Sequence, residues 1–83
     1  MVSVRQVKAA RALLGWAQDD LARKSGVSKP TVARLESSDG ELGGYADTQR
    51  RIVETLEKAG VIFVKENGEG PGVRLKKTRS EKP

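Results

Sequence analysis

Val4, Val7, Ala10, Leu13 and Leu14 recur at three- and four-residue spacing, the apolar stripe of an amphipathic helix. Ser3 precedes them, with Gln6 three residues later. This is a capping box, so a first helix is expected up to Leu14, closed by Gly15. Trp16 is expected to pack over the junction that follows. Gln18–Ser25 reads as a second helix with Leu21 and Ala22 inside and Asp19 and Asp20 in its first turn, where negative charge is favourable. Gly26 suits a left-handed turn and Val27 plugs it. Ser28 is placed to cap a third helix of about Lys29–Ser37. Pro30 falls in its first turn, where a missing N–H is harmless. Val32 and Leu35 give this helix a buried edge, leaving Lys29, Thr31, Ala33 and Arg34 outside.

Ser37–Tyr45 carries the residues of a loop. Asp47 then reads as the N-cap of a fourth helix, about 48–59, with Ile52, Val53, Leu56 and Ala59 inside and Gly60 after it. The periodicity changes at this point. Val61–Val64 is short, apolar and β-branched, residues 67–72 are rich in turn formers, and Val73–Lys76 alternates. The last third therefore reads as a β-hairpin, Val61–Glu66 with Val73–Lys77. The expected fold is mainly α: a four-helix domain over 1–60, a hairpin over 61–77, and a polar, disordered tail over 78–83.

The chain has 83 residues, no cysteine and no histidine. The size is that of one domain with a marginal core. The composition removes thiolate and imidazole metal ligands and the usual nucleophile and general base, so neither an enzyme nor a cofactor is expected. Asp19–Asp20 and Glu54/Glu57 are the only close carboxylate groupings, and neither suggests a metal cage or an acid–base pair. No apolar run approaches the ~20 residues of a membrane span. Val2–Leu14 is interrupted by Arg5, Lys8 and Arg11, unlike a signal peptide. A cytoplasmic, nucleoid-associated protein is expected. The net charge is +5, but residues 1–35 hold +5, residues 36–69 hold −4 and residues 70–83 hold +4. That asymmetry suggests one polyanion-facing surface. Trp16, Tyr45 and Phe63 are the only aromatics, too few for a single-strand stacking platform.

A short helix that is apolar inside and basic or small outside has the shape that enters a DNA major groove. On it, Arg34 can pair bidentately with guanine, and Lys29 can take a guanine or a phosphate. Thr31 offers a hydroxyl and a methyl, Pro30 can pack on a thymine methyl, and Ala33 lets the helix sit deep.

Arg11–Glu36 (RALLGWAQDDLARKSGVSKPTVARLE) resembles the phage-repressor-like, or xenobiotic-response-element, helix-turn-helix family. The likeness lies in an Arg in helix 1, Gln opening helix 2, Leu-Ala in its middle, Gly at the turn, Ser capping helix 3 and Leu-Glu closing it. It covers about residues 3–59. The chain departs from the family at Ala17, where a Ser or Thr cap is usual, and after Gly60, where a hairpin replaces a fifth helix. The latter resembles short bacterial regulators with a β-extension.

The resemblance implies a bacterial or phage DNA-binding regulator, a repressor acting as a homodimer on a palindromic operator. The implied DNA contacts are Gln18, Ser28, Lys29, Pro30, Thr31, Ala33, Arg34, Ser37 and Ser38; Arg50 and Arg51, near the start of the fourth helix, are placed either to reach phosphate or to face solvent. It also implies a structural ion pair between Arg11 and Glu36. The hairpin is expected to supply the dimer interface through Ile62, Phe63, Val64, Val73 and Leu75, with Ile62, Val64, Val73 and Leu75 closing over the last helix. Two alternatives share the fold. One is the antitoxin of a toxin–antitoxin pair, binding its toxin through the hairpin or the tail. The other is a protein-interaction module that does not bind DNA.

Overall fold

The structure, a computed structural model, describes residues 2–77. The tail expected over 78–83 lies outside the described residues. Four helices are followed by a hairpin: α1 Val4–Leu14, α2 Gln18–Ser25, α3 Lys29–Glu36, α4 Ala46–Lys58, β1 Val61–Val64 and β2 Gly72–Leu75. The mainly α fold with a C-terminal antiparallel hairpin is the one the sequence leads one to expect.

The capping box forms at the start of α1. Ser3 Oγ accepts from the Gln6 N–H at 3.1 Å, and Gln6 Oε1 accepts from the Ser3 N–H at 2.8 Å. Gln6 is buried, and its amide Nε2 also donates to the carbonyls of Val64 (3.2 Å) and Gly72 (2.9 Å). One side chain thus caps the first helix and holds both strands. On α1, Val4, Val7 and Ala10 are buried and Leu14 packs against the core. Leu13, expected inside, is 44% exposed. Successive helical residues point about 100° apart, so once Leu14 follows Ala10 inward, Leu13 is turned to the flank.

The fourth helix also differs from expectation. It begins at Ala46, and Tyr45, not Asp47, holds the N-cap position without a side-chain cap. Asp47 lies in the first turn and bonds to Arg50 and Arg51. Ala59 is the C-cap. The third helix stops at Glu36, with Ser37 as its C-cap.

The segment 37–45 is tied down more firmly than a loop of turn formers suggests. Val4 N–H donates to Gly40 O at 2.8 Å and Leu42 N–H to Val2 O at 3.0 Å, with a bridge between Ser3 and Glu41. Leu42 is buried. Gln49 Nε2 lies 2.7, 3.1 and 3.3 Å from the carbonyls of Leu42, Gly43 and Gly44. At Gly44, φ is +86° and a Cβ would sit 3.1 Å from Leu35 Cδ2, so both the backbone and the packing require glycine there.

In the hairpin, Val61 pairs with Leu75, Ile62 with Arg74, Phe63 with Val73 and Val64 with Gly72. Facing residues share a side of the sheet. Val61 is buried, and Phe63 and Val73 pack on the core. Ile62 is 40% and Leu75 44% exposed. The expectation that Ile62 and Val64 close over the last helix is thus corrected, whereas Leu75 shares the side of Val61 and Val73 but is left partly exposed at the end of its strand. Val61 and Phe63 point inward on β1, and Ile62 and Val64 lie on the other side. Four consecutive apolar residues give no alternation from which to choose a face. The two-residue link after α4 chooses it by setting Val61 directly against that helix.

The core joins all of these elements. Val4, Val7, Leu21, Val32, Ile52 and Leu56 are almost wholly inaccessible, and Ala10, Ala22, Val27, Leu35, Leu42 and Val61 complete it.

Candidate nucleic-acid interface

The site is built on the junction of α2 and α3. α2 ends at Gly26, with φ 75°. Ser25 Oγ donates to Ala22 O and accepts from the Val27 N–H at 3.2 Å, so the turn is bonded on both sides. Val27 is buried beneath it. Ser28 Oγ accepts from the Thr31 N–H at 3.3 Å and donates to Thr31 Oγ1 at 2.9 Å, which caps α3 and fixes the threonine hydroxyl. Val32 and Leu35 fasten the inner edge of α3. Lys29, Pro30 and Arg34 are exposed, and Thr31 and Ala33 are half-buried. Ser37 Oγ donates to Arg34 O at 2.7 Å. Ser37 and Ser38 are exposed beyond the end of the helix.

The far end of α3 is held by a buried charge. Glu36 is 3% exposed. Arg11 grips it with two parallel bonds, Nε to Oε2 at 2.8 Å and Nη2 to Oε1 at 2.7 Å, and its Nη1 donates to Trp16 O at 2.9 Å. Gln18 Nε2 adds a third donor, 3.1 Å from Oε1. Burial pushes the Glu36 carboxyl up, but the bonds from Arg11 and Gln18 outweigh it and hold the group below its ordinary value. The bond to Glu36 raises Arg11 further. A bidentate Arg–carboxylate pair fixes angle as well as distance, so α1, α2 and α3 are locked together. Gln18 therefore braces α3 with its amide nitrogen.

Ala17 has no side-chain cap to offer α2. Asp20 compensates by accepting the Ala17 N–H at 2.8 Å. That bond, followed by Arg23, keeps the Asp20 carboxyl below its ordinary range. Asp19, the second residue of the same helix, turns to Lys29, with Oδ1 3.1 Å from Nζ. Sequence reasoning had treated Asp19 only as a favourable charge in a first turn and missed this pairing across ten residues. The signal lies in an acid in the first turn of one helix of the pair and a lysine opening the next. Arg50 bonds to Asp47 and Glu54, and Arg51 to Asp47, so both arginines near the start of α4 have intramolecular partners. Lys24 lies over the Trp16 ring, 5.4 Å from its centre.

Among the described residues, no group of three or more acidic, cysteine or histidine side chains is placed to hold a metal ion. No helix among them is long and apolar enough to cross a membrane.

A helix-turn-helix family model matches residues 7–43, from the second turn of α1 through α3 to the glycines of the following loop. No curated protein matches the chain. Domains of the matched type bind DNA and are not catalytic. The chain therefore carries a phage-repressor-like helix-turn-helix DNA-binding domain, extended by a C-terminal β-hairpin.

Proposed function

We propose that the protein is a sequence-specific transcriptional regulator, a repressor that binds a palindromic operator in double-stranded DNA as a homodimer. The observation that supports this reading most is the two-sidedness of α3. Val32 and Leu35 are buried while Lys29, Pro30 and Arg34 stand exposed, on a helix anchored at its end through Glu36. In this reading α3 lies in the major groove. Arg34 and Lys29 meet guanine acceptors, and Thr31 and Pro30 meet the edge or methyl of a neighbouring thymine. Ala33 allows close approach. Gln18, Ser28, Ser37 and Ser38 face phosphates, which set register without reading sequence.

The homodimer forms through the edge of the hairpin, with Ile62 and Val64 on its outer side and Phe63, Val73 and Leu75 on its inner side. The two reading helices then meet half-sites about one helical turn apart. Blocking the promoter by occupying it is the simplest consequence of such binding.

Selection of bound duplexes from a random pool tests the reading. The expected result is enrichment of a two-fold symmetric sequence, bound at least about 10³-fold more tightly than scrambled DNA. A pool that stays random through successive rounds would rule the reading out.

A further inference from the structure

We propose that Asp19 and Lys29 act as one composite reader of a single G·C base pair in each half-site, with Asp19 as a specificity-determining residue. The inference rests on the DNA-reading role proposed above. Lys29 opens α3 and Asp19 lies in the first turn of α2, and their charged atoms are 3.1 Å apart. Both side chains are more than half exposed, at 57% and 64%, so an incoming ligand can reach the pair. The neighbouring carboxylate has other duties, since Asp20 takes the Ala17 N–H and Arg23. Arg34, the other basic residue on the outer side of α3, has no ion-pair partner among the described residues.

A carboxylate on a surface meant for a polyanion weakens contact with every phosphate unless the DNA offers it a donor. In the major groove the donors are the amino groups of cytosine N4 and adenine N6. An ammonium beside a carboxylate presents donors next to an acceptor. The G·C pair presents the complement, two guanine acceptors (N7 and O6) followed by the cytosine N4 donor. Lys29 can engage both guanine acceptors while Asp19 accepts from the cytosine, and the two side chains remain neighbours. An A·T pair offers the ammonium one acceptor beside the adenine amino group, followed by the thymine O4 and methyl. Asp19 also offsets the unfavourable charge of a lysine at a helix N-terminus, which holds Lys29 toward its partner before DNA arrives. On non-cognate DNA the pair is electrically neutral and adds little to phosphate attraction.

The test compares wild type, Asp19→Ala, Asp19→Asn and Lys29→Ala on three duplexes: the sequence selected from the random pool, a set with single base-pair changes, and a scrambled control. Fluorescence anisotropy gives the affinities, and thermal melting checks that each variant folds. For Asp19→Ala, we expect preference for G·C at one position per half-site to fall about tenfold and affinity for scrambled DNA to rise. Asparagine keeps an acceptor without the charge, so Asp19→Asn should retain part of the preference while also binding scrambled DNA more tightly. Lys29→Ala should relax the same position, and the two alanine changes together should add little beyond either one.

If Asp19→Ala shifts selected and scrambled duplexes by the same factor, Asp19 only repels phosphate and the composite reader is wrong. The same holds if Asp19 and Lys29 relax different positions. A wild-type protein that does not discriminate selected from scrambled DNA overturns the DNA-reading role itself, and the composite reader with it.

Discussion

Glu36 is charged in an almost inaccessible position because three donors surround it: two from Arg11 and one from Gln18. Removing the arginine would leave that carboxylate buried with one neutral partner. Breaking a buried pair from one side costs about 3–5 kcal/mol, so Arg11→Ala should remove about 3 kcal/mol. For a domain of this size that is a fall of roughly 10–20 °C in melting temperature. The base preference of the folded fraction should stay unchanged, which binding at low temperature to cognate and altered duplexes would check. The same site makes stability pH-dependent. The folded-state pKa of Glu36 lies below its ordinary value of 4.5. The stabilisation is therefore complete above that ordinary value and disappears as the pH falls through the folded-state value. Wild type should lose more stability between about pH 5 and 3 than Glu36→Gln, when urea unfolding of both is followed across that range. Equal losses would place the acid sensitivity elsewhere, for example at Asp20, Asp39 or Asp47, which are also held low. Arg34→Ala, on α3, and Ser38→Ala, just beyond its end, should differ in kind. A lost bidentate base contact costs about 1–3 kcal/mol and relaxes one position, whereas a lost phosphate contact weakens all sequences alike. An Arg34→Ala protein with undiminished discrimination would displace α3 from the groove.

Among the elements, the hairpin depends on a side chain from another element. The Gln6 amide donates to one carbonyl on each strand while its oxygen caps α1. Gln6→Glu keeps the capping acceptor but faces a carboxylate toward two carbonyls. It should cost about 2–4 kcal/mol, since each abandoned buried partner costs about 1–3 kcal/mol. Hydrogen exchange should show β1 and β2 losing protection before α2 and α3, and uniform loss would mean that the bonds do not set the hairpin's stability. The helices were legible in the sequence because each carries its own period and its own punctuation: Ser3 with Gln6, Gly15, Gly26, and Ser28 before Pro30. The Arg11–Glu36 contact was reached through resemblance, because neither residue announces a partner twenty-five positions away. Three features escaped for physical reasons. Leu42 sits among glycines and serines, and only its backbone pairing with Val2 carries it into the core. Tyr45 precedes α4 with no capping side chain, while Asp47 looked like a cap and serves two arginines. The face of β1 was undetermined because Val61, Ile62, Phe63 and Val64 are all apolar, and the short link from α4 decides it. On the surface proposed to read DNA, the exposed cations of α3 stood out in the sequence, while Asp19, which stands against one of them, was passed over as a first-turn charge.

At the scale of the whole molecule, the hairpin has a double character that bears on assembly. Its inner side is part of the core through Val61, Phe63 and Val73, while Ile62 on the outer side and Leu75 at the end of the inner side remain 40% and 44% exposed. A two-stranded sheet also leaves unpaired N–H and C=O groups along its outer edges. Pairing one such edge with its two-fold copy would produce a four-stranded antiparallel sheet and fix the separation of the two α3 helices. The competing arrangement uses the open apolar hollow of about 280 Å³ lined by Val2, Leu42, Ala46 and Val53 beside the start of α4. Deleting the hairpin cannot separate the two, because Val61 is buried and Gln6 is bonded to both strands, so truncation after Gly60 would damage the fold itself. Charges on the exposed positions avoid that difficulty. Ile62→Lys and Leu75→Lys should each leave the melting of the domain nearly unchanged while converting a sedimenting dimer into a monomer, and Val53→Lys should not. The DNA titration should report the same event. A dimer neutralising about six phosphates gives a slope of log K against log salt of about −5, and a monomer holding one half-site gives about half that. Dimers that survive both hairpin substitutions but dissociate on Val53→Lys would move the interface to α4 and leave the hairpin as a cover for the core.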